Sequence, residues 1–208
     1  MDEFKTIRRR VRTEIKVQGS RFIATAASVS SKQEADRFVE EMRKEFHSAT
    51  HNCYAYRIGT DTHQFRFNDD GEPAGTAGKP ILASIDRLVL TDIVIVVTRY
   101  FGGTKLGTGG LARAYAEAAE GVMAGADHVT KYRMGILRAS FPHSQVGNVM
   151  RAVSRAGARI VDTVYDEEVH VQLEIRRSLL EDLRSLLVES TSGNIDLKVS
   201  GENSQSVA

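Results

Sequence analysis

The sequence predicts a mixed α/β (α+β) protein of two domains, and three observations lead there. Strand-like and helix-like patterns alternate along the 208 residues, of which 41% are apolar and 26% charged, close to the values of folded soluble proteins. From residue 129 onward the elements read βαββαβ over roughly 70 residues, the ferredoxin-like arrangement of an antiparallel sheet with two helices on one face. The stretch Gly125–Thr130 interrupts the pattern, so the expected domains are 1–128 and 129–208.

In order along the chain, Val11, Ile15 and Val17 sit two or four apart, and Phe22–Val29 is rich in small and apolar residues, which predicts two strands joined around Gly19-Ser20. Ser31-Lys32-Gln33-Glu34 fits a capping box, and Ala35, Phe38, Val39, Met42 and Phe46 recur at helical spacing after it. Cys53–Ile58 and Gln64–Phe67 read as strands separated by the turn formers Gly59-Thr60-Asp61, and Asp69–Pro80 is a loop dense in Gly and Pro. A short helix follows over Ile81–Leu88. The β-branched run within Asp92–Thr98 suits a central strand buried on both faces. The glycine-rich Arg99–Gly110 leads into a helix whose inner face carries Leu111, Ala114, Tyr115, Ala118, Val122 and Met123. The second domain then reads as a strand in Tyr132–Phe141, a helix over Ser144–Ala156, strands Arg159–Tyr165 and Val169–Ile175, a helix over Ser178–Glu189 and a strand Ile195–Val199. Its small polar tail, Gly201–Ala208, is expected to fray.

Composition excludes several classes of function. The longest aliphatic run, Ile93–Val97, is far shorter than a bilayer needs, so no membrane role is expected. Cys53 is the single cysteine, which rules out an internal disulfide and makes the cytoplasm the expected compartment. The net charge of +1 is shared evenly, with 18 basic and 17 acidic residues in 1–128 and 10 of each beyond, so any nucleic-acid binding must use a local patch.

The most informative segment is Arg99–Arg113. Five glycines in the nine residues Gly102–Gly110 (Gly102, Gly103, Gly107, Gly109, Gly110) let a partner approach the backbone, and the helix that follows turns free N–H groups and its positive dipole end toward the loop. Arg99, Lys105 and Arg113, with Tyr100 beside them, would surround an anion held there, so phosphate or a nucleic-acid backbone is the natural ligand. A glycine-rich loop also serves simply to pack a strand against a helix. Neither the P-loop order nor the Gly-x-Gly-x-x-Gly fingerprint is present.

The second segment, Asn68–Pro80, places Asp69, Asp70 and Glu72 within four residues and carries Thr76 and Lys79. Its carboxylates suit a divalent cation or acid–base work as well as they suit Asx-type turns, and EF-hand spacing is not met. Loops this poor in apolar residues are often functional. In the third, His47 and His51 stand four apart, but Ser48 occupies the place where a zincin needs Glu, so no metal is expected. Cys53 in an apolar strand reads as core rather than nucleophile. Arg8, Arg9, Arg10 and Arg12 form a basic cluster that either touches phosphates or is a solvated face.

These segments together, His47–Ala55, Asp69–Pro80 and Arg99–Tyr115, resemble the signature of the YigZ/IMPACT family of bacterial two-domain proteins, over about residues 11–125. The resemblance implies an N-terminal fold like the second domain of the small-subunit ribosomal protein five, followed by the ferredoxin-like domain. The same pair of folds in elongation factor G makes RNA or the ribosome the implied partner. Eukaryotic relatives regulate translation through an additional N-terminal domain, which implies a protein partner in translation control for them. The leading expectation is an RNA- or ribosome-binding protein with no cofactor, in which both loops form one surface. The alternative is a nucleotide- or phosphate-dependent enzyme of small-molecule-kinase-like fold, using Asp69, Asp70 and Glu72 for metal or base.

Overall fold

The structure, a computed structural model, describes residues 2–59 and 64–206, with backbone alone for 202–206. It divides into two compact units, residues 4–130 and residues 131 onward, the latter joined by the first residues up to Glu3. Each unit has its own antiparallel sheet and helices.

In the first unit, β2 (Val11–Val17) and β3 (Ser20–Ser28) pair in register from Val11↔Ala26 to Val17↔Ser20. Their two-residue turn, Gln18-Gly19, has φ of 46° and 82°, the left-handed pair that matches the twist of a hairpin. The helix α1 (Lys32–Glu45) begins at Ser31, whose hydroxyl accepts the Glu34 N–H at 3.2 Å. Glu34 reciprocates one residue earlier than a capping box predicts, accepting from the N–H of Ser30 at 2.7 Å, and that bond holds its carboxyl below the usual range.

After β4 (His51–Ile58), β5 (Gln64–Asn68) and α2 (Gly78–Arg87), the strand β6 (Ile93–Tyr100) runs up the centre of the sheet, whose order is β2-β3-β6-β4-β5. Alternation along β6 feeds two cores. Val94 and Val96 join Phe38, Val39 and Met42 of α1 on one face; Ile93, Ile95 and Val97 meet α2 and α3 (Gly107–Ala124) on the other. The same parity sends Arg99 to the face covered by α3.

The second unit contains β7 (His128–Phe141), α4 (Val146–Ala156), β8 (Arg159–Tyr165), β9 (Val169–Arg176), α5 (Leu180–Ser190) and β10 (Asp196–Ser206). Along the sheet the order is β10-β7-β9-β8, the ferredoxin-like fourth-first-third-second arrangement, with Leu137, Phe141, Val171 and Leu173 packed under Val149, Val153, Leu183 and Leu187. The backbone closes α4 at Gly157, whose φ of 68° ends the helix in the left-handed region.

Several boundaries differ from expectation. An unforeseen strand, β1 (Glu3–Ile7), opens the chain, and its Lys5 bridges Leu90. The helix placed over 81–88 starts at Gly78, and β7 starts at His128, four residues early. The tail does not fray at Gly201: residues 201–206 continue β10 against Ile136–Lys131, because the long β7 offers them a ladder. Thr60 and Asp61 of the expected turn lie outside the described residues. Among the described residues no helix is long and apolar enough to cross a membrane.

Candidate functional site

The end of β6 and the loop before α2 meet through one ion pair. Arg99 Nη1 donates to Glu72 Oε1 at 2.6 Å, with side-chain exposures of 6% and 4%. Tyr115 of α3 donates its hydroxyl to the same oxygen at 2.8 Å, and the Arg99 Nη2 donates to Ser20 Oγ at 3.3 Å. The guanidinium also lies 5.4 Å from the Phe22 ring centroid and 5.6 Å from that of Phe101, while its Nε is buried without a partner. Arg99 is therefore not an open anion ligand, as the sequence suggested, but a buried cation neutralised by Glu72.

The neighbouring carboxylates are likewise engaged. Asp69 accepts the N–H groups of Gly75, Ala77 and Gly78 at 2.8–2.9 Å, which folds the loop over and caps the start of α2. Asp70, in the left-handed region at φ 46°, accepts the Asn52 N–H at 2.7 Å and an Arg43 N–H at 3.0 Å. The carbonyl of Asp70 faces His51 Nδ1 at 2.8 Å; a carbonyl only accepts, so Nδ1 carries the proton and Nε2 is the atom that faces Glu72, 3.9 Å away. The three acids point at three different partners, and among the described residues no group of three His, Cys, Asp or Glu side chains could share a metal ion.

Cys53 donates to the Asp69 carbonyl at 3.0 Å and sits 3.3 Å from the Tyr115 hydroxyl. Burial pushes its thiol well above the ordinary cysteine range, and burial does the same to the Tyr115 phenol. Neither forms a nucleophile with His51. Of the remaining residues, Thr76 donates its hydroxyl to the Pro73 carbonyl at 2.6 Å; Tyr100 is half-buried beside Arg21; His47 and Lys79 are exposed.

The glycines divide by role. A Cβ on Gly102 would lie 1.9 Å from the Gly19 carbonyl carbon, so this glycine exists for backbone contact with the β2–β3 turn, and its N–H also donates to Ser20 Oγ at 3.2 Å. Gly103 and Gly107 adopt φ of 87° and 69° with open space around them. Gly109 and Gly110 lie in the first turn of α3, which has no side-chain cap and no acidic residue. Lys105 and Arg113 are exposed there, and Arg113 reaches back until its Nη1 stands 3.5 Å from where a Gly109 Cβ would be.

Sequence reading missed Ser20 and Thr50, whose hydroxyls fix the loop by accepting from Gly102 and Phe101 N–H groups. It had a usable signal for the burial of Arg99, since Ile93, Ile95 and Val97 share its parity. The basic cluster near the N-terminus is largely spent on carboxylates: Arg9 with Asp127 at 3.5 Å, Arg10 with Glu41 at 2.8 Å and Arg12 with Glu45 at 2.6 Å.

Comparison with known proteins follows this geometry. The Impact N-terminal domain family matches residues 18–123, and a domain of unknown function, DUF1949, matches residues 140–194. The chain is 35% identical over 201 residues to the IMPACT family member YvyE of Bacillus subtilis (strain 168), covering 95% of this chain and 91% of that protein. Protein IMPACT of Bos taurus is 43% identical over 67 residues, 31% of this chain and 20% of its own. A crystal structure described as that of a hypothetical protein shares 28% identity, covers 97% of this chain and 98% of its own, and superposes with a TM-score of 0.72.

Proposed function

The chain belongs to the IMPACT family, and from that premise we propose that its glycine-rich surface binds the phosphate backbone of RNA, with the ribosome as the source of that RNA. The observation that carries the reading is the start of α3. Its first peptide N–H groups are uncapped, no acid stands in the first turn, and exposed Lys105 and Arg113 flank it without an ion pair among the described residues. Beneath it, Arg99 acts as a strut: its bond to Glu72 ties the loop before α2 to the loop before α3. A kinase-like reading would need carboxylates free for a magnesium ion, and Asp69, Asp70 and Glu72 are committed to peptide N–H groups, Arg43 and Arg99.

Sedimentation of the tagged protein with cell lysate on sucrose gradients at low and moderate salt tests this. Wild type should co-migrate with ribosomal particles at low salt and fall away as salt rises, because the release of condensed counterions that drives binding gains less as the salt concentration increases. Lys105→Glu/Arg113→Glu, checked for folding by circular dichroism, should remain at the top. Equal co-migration of both proteins would end the reading.

A further inference from the structure

We propose that the groove between α4 and α5 in the second unit is a binding site for a phosphorylated small molecule of nucleoside-monophosphate size. The groove has a volume of about 350 Å³, within the range of small-molecule sites, and is lined by Asn148, Arg151, Ala152 and Arg155 of α4 with Leu186 and Ser190 of α5. The four residues of α4 stand at i, i+3, i+4 and i+7, so both arginines project from one stripe, one turn apart.

The charged side chains lining this groove are both basic. No carboxylate lines it, and α4 contains no acidic residue at all. Several other surface arginines are paired: Arg184 on α5 bonds Glu181 at 3.1 Å, Arg159 bonds Glu174 at 2.6 Å, and Arg87 bonds Glu120. Arg151 and Arg155 make no ion pair among the described residues. Arg151 is nonetheless held in place, since its Nη2 donates to Asn148 Oδ1 at 2.6 Å and Asn148 Nδ2 donates to Gln145 Oε1 at 2.7 Å. That chain uses one of the five N–H donors of Arg151 and leaves the others for a ligand.

Two unpaired guanidiniums one turn apart match the charge of a phosphate monoester, about −2 at neutral pH, and can grip its oxygens in forked pairs. Ala152 and Leu186 supply an apolar floor for the remainder of the molecule, and the Ser190 hydroxyl a hydrogen-bond partner. This site is independent of the RNA reading, because it lies on other elements and uses other residues.

Titration of the full chain with AMP, inorganic phosphate and adenosine, followed by amide chemical shifts, tests the assignment. AMP should give saturable shifts confined to residues 145–155 and 186–190, with inorganic phosphate weaker and adenosine silent. Arg151→Gln/Arg155→Gln should weaken AMP at least tenfold, and Lys105→Glu/Arg113→Glu should leave it unchanged. Shifts that fail to saturate, or that survive Arg151→Gln/Arg155→Gln, would overturn the proposal. So would equal affinity for AMP and inorganic phosphate at these residues, or equal shifts of residues 145–155 and 186–190 on adding an RNA oligomer that lacks a terminal phosphate.

Discussion

Glu72 and Arg99 meet at 2.6 Å inside the first unit, joining the loop before α2 to the loop after β6 with almost no solvent at either end. A pair so buried gains from Coulomb attraction only what it does not lose in desolvation, so its removal as a pair and its breakage have different consequences.

Breaking it is predicted to be expensive. Glu72→Leu leaves the Arg99 cation buried and takes the acceptor from the Tyr115 hydroxyl, and Arg99→Met leaves the Glu72 carboxylate buried without its cation; each should cost about 3–5 kcal/mol. The double variant should lie well below the sum, since neither charge is then stranded. Urea unfolding of the three variants measures the coupling. Additive losses would mean that the two side chains do not act as one unit.

How much of this was legible in the sequence depends on how local the cause is. The β2–β3 hairpin, the cap of α1, the buried run of β6 and the βαββαβ order of the second unit all rest on neighbours in sequence, and the structure holds them where patterning placed them. β1 escaped because five residues with two charges carry almost no period, and its partners lie far along the chain. The continuation of β10 through a polar tail was invisible for the same reason: β7, not the tail's own composition, makes it a strand. In the candidate site the motif residues do converge, with Arg99, Glu72, His51 and Asp70 in one network. Their roles were not legible, because whether an arginine faces solvent or a buried carboxylate is settled by a partner 27 residues away.

Two glycines of the segment from Gly102 to Gly110 should respond with opposite signs. Gly102→Ala puts a methyl 1.9 Å from the Gly19 carbonyl carbon, backbone that cannot swing aside, and should destabilise by about 2 kcal/mol or more. Gly109→Ala, in the first turn of α3 with only the mobile end of Arg113 at 3.5 Å, should stabilise by about 0.5 kcal/mol through lost backbone freedom of the unfolded chain. Thermal unfolding of both reports the signs directly. If Gly102→Ala were neutral, the close contact with the β2–β3 turn would not exist in solution.

Stability should fall in alkali for a reason that can be isolated. Burial raises the Cys53 thiol and the Tyr115 phenol above their ordinary values, so the folded protein keeps protons that the unfolded chain gives up. The folded form then binds more protons than the unfolded one once pH passes ~8.5 for the thiol and ~10 for the phenol. By linkage the stabilisation is complete below those values and is lost above them, at about 1.4 kcal/mol per pH unit for each proton. Urea midpoints measured from pH 7 to 10 should decline, and Cys53→Ala should flatten the part that begins near pH 8.5. The same burial predicts that a thiol reagent at pH 8 labels Cys53 only as fast as the protein opens. Labelling at the rate of a free cysteine, with the pH profile unchanged by Cys53→Ala, would show that the thiol is not held in the core beside Tyr115.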